Sequence, residues 1–75
     1  MNVKGVKITE QQLAAARAAM SGAFRMVDVT HALVRAGVPN FHYTADRAAD
    51  RLLQLERRAG RIKVNPDNKR EWIAL

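Results

Sequence analysis

The chain has no cysteine, which rules out a disulfide framework and any thiolate-held metal and fits a reducing compartment. Aromatic residues are scarce at 5% of the 75 positions, so the core must be mainly aliphatic and each aromatic position carries weight. No apolar run approaches the roughly eighteen residues that span a bilayer, and the start lacks the charged-then-apolar pattern of a signal segment. A soluble, cytoplasmic protein is expected. There is one serine, no paired histidine spacing and no phosphate-cradling glycine loop, so no catalytic residue, metal site or cofactor is expected. Acidic residues are also few: seven Asp and Glu stand against thirteen Lys and Arg, a formal net charge of +6. A positive field recruits polyanions whatever the fold. Nucleic acid is therefore the first partner to consider, the plain alternative being charge that serves solubility.

What is present is centred on Thr44 to Ile62, TADRAADRLLQLERRAGRI. Ala45, Ala48, Ala49, Leu52, Leu55 and Ala59 recur at three-and-four spacing, which predicts one buried helical face. The other face carries Asp46, Arg47, Asp50, Arg51, Gln54, Arg57 and Arg58, with acids early and bases late, as the helix dipole favours. Gly60 supplies a left-handed stop. Ile62 and Val64 then alternate with Arg61 and Lys63, Asn65 to Asn68 form a turn cluster, and Lys69 to Leu75 alternates again, which predicts a β-hairpin over about 61–75 with a basic rim. Alternation leaves open whether Trp72 and Ala74 or Ile73 and Leu75 face inward. The need of a small core for aromatic area favours Trp72, although a stacking platform is the other use of that ring.

Upstream, Met1 to Ile8 has no clean period and reads as a tail or a short edge strand. Thr9 with Gln12 has the spacing of a capping box, so a first helix is expected over about 9–21, with Leu13, Ala16 and Ala19 or Met20 on its apolar side. Its alanines suit close packing within the domain or, alternatively, a homodimer face. After a short extended step at Ala23 to Met26, the positions Met26, Val29, Ala32, Leu33 and Ala36 predict a second helix over about 26–36. His31 lies off its apolar stripe. Pro39 and Asn40 turn the chain into the third helix, which starts at Phe41 or near Thr44 and ends at about 59. Phe41 or Tyr43 is expected to plug the gap between helices two and three.

This order gives one mainly α domain with a small β-hairpin, an α+β arrangement over 9–75. The segments FRMVDVTHAL from Phe24, ADRAADRLLQLERRAGRIKV and the closing EWIAL resemble the winged helix-turn-helix domain. Compactness also resembles the small regulators of phages and mobile elements. The chain departs from the family pattern in three ways: Arg25 stands where Ser or Thr usually caps helix two, the link from Gly37 to Thr44 is long, and Asp46 and Asp50 lie on the face that would meet DNA.

The resemblance implies a sequence-specific double-stranded DNA-binding protein, a transcriptional regulator or accessory factor. Its third helix would enter the major groove and its wing would lie on the backbone. The implied base-contact candidates are His42, Thr44, Arg47 and Arg51, and the phosphate-contact candidates are Arg57, Arg58, Arg61, Lys63, Lys69 and Arg70. Winged helices also serve as protein-interaction modules, and an acidic protein partner is the alternative. Bases in one continuous strip would favour DNA, whereas interruption by Asp46 and Asp50 would favour protein.

Overall fold

Local signals set most of the elements in the computed structural model, which describes residues 1–75. Thr9 and Gln12 form the capping box: Gln12 N–H donates to Thr9 Oγ1 at 3.2 Å, and Thr9 N–H donates to Gln12 Oε1 at 2.9 Å. Helix α1 follows at Glu10–Ala18. Helix α2, Met26–Arg35, has no side-chain cap from Arg25. Asp28 compensates from the third helical position, its Oδ2 accepting the Arg25 N–H at 2.8 Å.

Both later helices end by the same device. After α2, Val38 N–H reaches Leu33 O and Gly37 N–H reaches Val34 O, each at 3.0 Å. Helix α3, Thr44–Arg58, ends with Arg61 N–H on Glu56 O and Gly60 N–H on Arg57 O, also at 3.0 Å. This paired pattern satisfies the last carbonyls and needs a left-handed residue after the helix. Gly60, at φ +76°, provides it.

Strand β3, Ala23–Phe24, pairs antiparallel with β5, Asn68–Ala74, which also pairs with β4, Ile62–Asn65. The sheet order is β3-β5-β4, so the last strand lies in the middle. Trp72 sits opposite both Phe24 and Val64. Trp72 and Ala74 pack against the core and Leu75 is exposed, which settles the inward phase in favour of Trp72. The β4–β5 loop is Pro66-Asp67. Neither residue has positive φ, unlike the turns that best match strand twist, and a register irregularity between Val64 and Asn65 takes up the difference.

Helix α2 packs against both α1 and α3, and the sheet closes the remaining side. The result is a small α+β protein with three helices and a small antiparallel sheet, and no helix is long and apolar enough to cross a membrane.

Three expectations are corrected. Where a tail or a short edge strand was expected, the first eight residues form two short strands, β1 (Asn2–Val3) and β2 (Val6–Lys7), paired with each other as a separate hairpin. Lys4 and Gly5 at its turn have φ of +50° and +78°, the left-handed pair that suits a two-residue hairpin, while Val3 and Ile8 are buried in the core. On α3, Leu55 and Ala59 are exposed, and the buried face is completed by Leu53 and Glu56. Leu55 lies at one edge of the stripe, and the docked helix is rotated away from it, whereas Ala59 falls past the last helical residue, Arg58. Finally, neither Phe41 nor Tyr43 plugs the α2–α3 gap: they are 79% and 71% exposed. Small side chains at Ala45, Ala48 and Ala49, all fully buried, let the helices meet without an aromatic filler.

Candidate functional site

The outer face of α3 is set by its burial pattern. Six residues from Ala45 to Glu56 turn inward, so Arg47, Arg51, Gln54 and Arg58 share one row on the outer side, spaced four, three and four apart. All three arginines are exposed. Asp46 and Asp50 fall in the neighbouring row with Arg57, beside the arginines and not between them. Asp46 is also engaged locally. Asn40 Oδ1 accepts from Ala45 N–H at 3.0 Å and from Asp46 N–H at 3.4 Å, and Asn40 Nδ2 lies 3.5 Å from Asp46 Oδ2. An acid in this first turn sits where the helix dipole favours it.

The row of arginines meets the N-terminal hairpin. Arg51 Nη1 donates to the Asn2 carbonyl at 3.1 Å. Beside this bond lies the one cleft of the molecule, about 380 Å³, lined by Asn2, Val3, Lys4, Arg47, Asp50 and Arg51. Nothing in the first eight residues pointed to this juxtaposition. Only the docking of Val3 and Ile8 brings Lys4 to α3.

Just before α3, Phe41–Tyr43 forms a single 3₁₀ turn in which His42 and Tyr43 hold φ of +54° and +61°. Left-handed backbone at two successive non-glycine residues is uncommon and marks a turn determined by its surroundings. His42 is exposed. Thr44 is not available as a base reader: it is 3% exposed, and its hydroxyl donates to Phe41 O at 2.7 Å.

Past α3, the candidate phosphate contacts divide. Arg57, Arg58, Lys63, Lys69 and Arg70 are exposed. Arg61 is engaged: its Nε donates to Glu56 Oε2 and its Nη2 to Oε1 at 3.1 Å. Arg17 Nε stands 3.5 Å from the same carboxylate. Hydrogen bonding from Arg61, opposed by burial and aided by the charges of Arg61 and Arg17, holds the Glu56 carboxyl below its ordinary range, and the hydrogen bond to Glu56 and its charge hold Arg61 above its own. Glu56 is the residue that sequence reasoning missed. A signal was present, since it continues the Ala45, Ala49, Leu52 row and an acid in the last turns opposes the helix dipole.

The arrangement is a cationic surface with two hairpins at its edges. No group of three or more His, Cys, Asp or Glu is placed to hold a metal ion. Comparison with known proteins finds no family, curated protein or solved structure that matches this chain.

Proposed function

We propose that this chain is a winged helix-turn-helix protein that binds double-stranded DNA, acting as a small transcriptional regulator or accessory DNA-binding factor. The observation that carries this reading is the outer row of α3, in which Arg47, Arg51 and Arg58 are exposed while Asp46 and Asp50 stand in the adjacent row. The element order, with β5 between β3 and β4, supports the same reading. In this mechanism α3 enters the major groove and Arg47 presents its fork to the two acceptors of guanine. Hairpin β4–β5 is the wing, where Lys63, Lys69 and Arg70 meet phosphates and add affinity without sequence. One copy covers a short site, so useful specificity calls for a second copy or a partner protein.

The test is fluorescence anisotropy with random-sequence duplex DNA across a salt series. Five phosphate contacts give a slope of log affinity against log salt of about −4.5. A flat salt response, or no binding at low salt, overturns the reading.

A second reading, a protein-interaction module for an acidic partner, is favoured by one observation: Phe41 and Tyr43 stand exposed on a constrained turn. Large exposed aromatics are typical anchors of protein interfaces. Its signature is absence of duplex binding at low salt, together with a partner complex that alanine at Phe41 and Tyr43 abolishes.

A further inference from the structure

The cleft between the N-terminal hairpin and α3 has the composition of an anion site. Three cations, Lys4, Arg47 and Arg51, line it against one acid, Asp50. Arg51 spends one of its five N–H donors on the Asn2 carbonyl, which fixes the guanidinium and leaves the others free to donate. Lys4 is held at the tip of a tight turn whose strands are anchored by buried Val3 and, just beyond β2, buried Ile8. Its backbone therefore stands at a fixed place beside α3 and not on a loose terminus. At about 380 Å³ the cleft exceeds the volume of a phosphate group, which leaves room for a diester and its neighbouring sugars.

We infer that this cleft binds a phosphate, and that on duplex DNA it takes one backbone phosphate beside the groove that α3 enters. This rests on the DNA reading above and extends it. The N-terminal hairpin becomes a second backbone anchor in addition to the β4–β5 wing. From the cleft at residues 47–51 to the wing after Gly60 is about 15 Å along the helix axis, so the two anchors hold different phosphates. Contacts this far apart, with no shared partner, contribute independently.

The experiment uses the full chain and two exposed substitutions, Lys4→Asn and Lys69→Ala. Asparagine accepts left-handed backbone well, so Lys4→Asn removes the charge without straining the turn. In duplex titrations across salt, each single variant is expected to shorten the salt slope by about 0.9 and the double variant by about 1.8, with relative affinities among sequences unchanged. In parallel, inorganic phosphate is titrated into labelled protein and the backbone amides are followed by NMR. Amides of Asn2, Lys4 and Arg51 are expected to move in the wild type, and those of Asn2 and Arg51 to stay still in Lys4→Asn.

Duplex binding with an unaltered slope in Lys4→Asn overturns the cleft as a DNA anchor and leaves the DNA reading intact. Absence of duplex binding alongside Lys4-dependent phosphate shifts overturns the DNA reading and upholds the cleft as a site for a free phosphate. Unmoved cleft amides together with an unaltered slope overturn the phosphate site altogether.

Discussion

Single residues carry the sharpest physical conflicts in this molecule. Glu56 is a carboxylate with a side chain 6% exposed, placed among alanines and leucines, and it is tolerated because Arg61 and Arg17 reach it from the residue before β4 and from α1. Its ionisation is held below that of an unfolded glutamate, mainly by the Arg61 hydrogen bonds. The contribution to stability is therefore complete above the ordinary glutamate range near pH 4.3 and is lost as pH falls through the depressed folded value. Glu56→Gln is expected to be less stable than wild type at neutral pH, with the gap narrowing as pH falls below the ordinary glutamate range. Urea midpoints measured at several pH values check this, and a constant gap would refute the assignment. Thr30 shows the opposite case. Its hydroxyl is buried in α2 with no hydrogen-bond partner. Thr30→Val keeps the shape and removes the orphan group, so a gain of about 1 kcal/mol is expected, read as a higher urea midpoint at unchanged slope.

At the scale of elements, ends matter more than middles. The stop of α3 does two jobs, because the same turn that places Arg61 N–H on Glu56 O also delivers the Arg61 guanidinium to the Glu56 carboxylate. Gly60 at φ +76° has open space where a side chain would sit, so replacing it incurs only backbone strain. Gly60→Ala is expected to lower stability by about 1 kcal/mol. If the Glu56–Arg61 pair depends on this turn, the same variant also weakens the acid dependence described above, and thermal melts at pH 7 and pH 4 measure both effects. The start of α3 was readable in part. Asn40 caps it as expected, but across the intervening 3₁₀ turn, reaching Ala45 N–H and Asp46 N–H. The exposure of Phe41 and Tyr43 was not readable, because an aromatic beside a proline turn is as consistent with a plug as with an anchor. Only the tight alanine contact of α2 with α3 removes the need for a plug.

The whole molecule combines a slender core with a surplus of positive charge. Fourteen buried residues form one cluster, and at about 0.05 to 0.15 kcal/mol per residue a chain of this size has a total stability of about 4 to 11 kcal/mol. Leu52 is 1% exposed at its centre. Leu52→Ala is expected to cost about 2 to 5 kcal/mol and so to remove about half of the stability, visible as a large loss of urea midpoint. Under the proposed function, two surface changes separate the roles of α3 and the wing. Arg47→Ala should relax preference at one base position by about 1 to 3 kcal/mol, whereas Lys69→Ala should weaken all sequences alike. Equal small losses from both on every sequence would mean that no base is read. The protein-interaction reading predicts instead that neither change matters to DNA.

What the sequence determined by itself was local or global, with little between. The capping box at Thr9, the stop at Gly60 and the three helices rest on hydrogen bonds between residues a few positions apart, the β4–β5 hairpin pairs residues no more than twelve positions apart, and net charge is a sum that needs no coordinates. The tertiary structure alone decided the rotation of α3 that buries Leu53 and Glu56 and exposes Leu55, and the docking of the first eight residues. Neighbouring helical positions differ by about 100° around the axis, so the edge of an apolar stripe is fixed only by what packs on it. The Arg51 bond to the Asn2 carbonyl joins residues 49 positions apart. No periodicity encodes such a contact, because it exists only once the core has brought the N-terminal hairpin against α3.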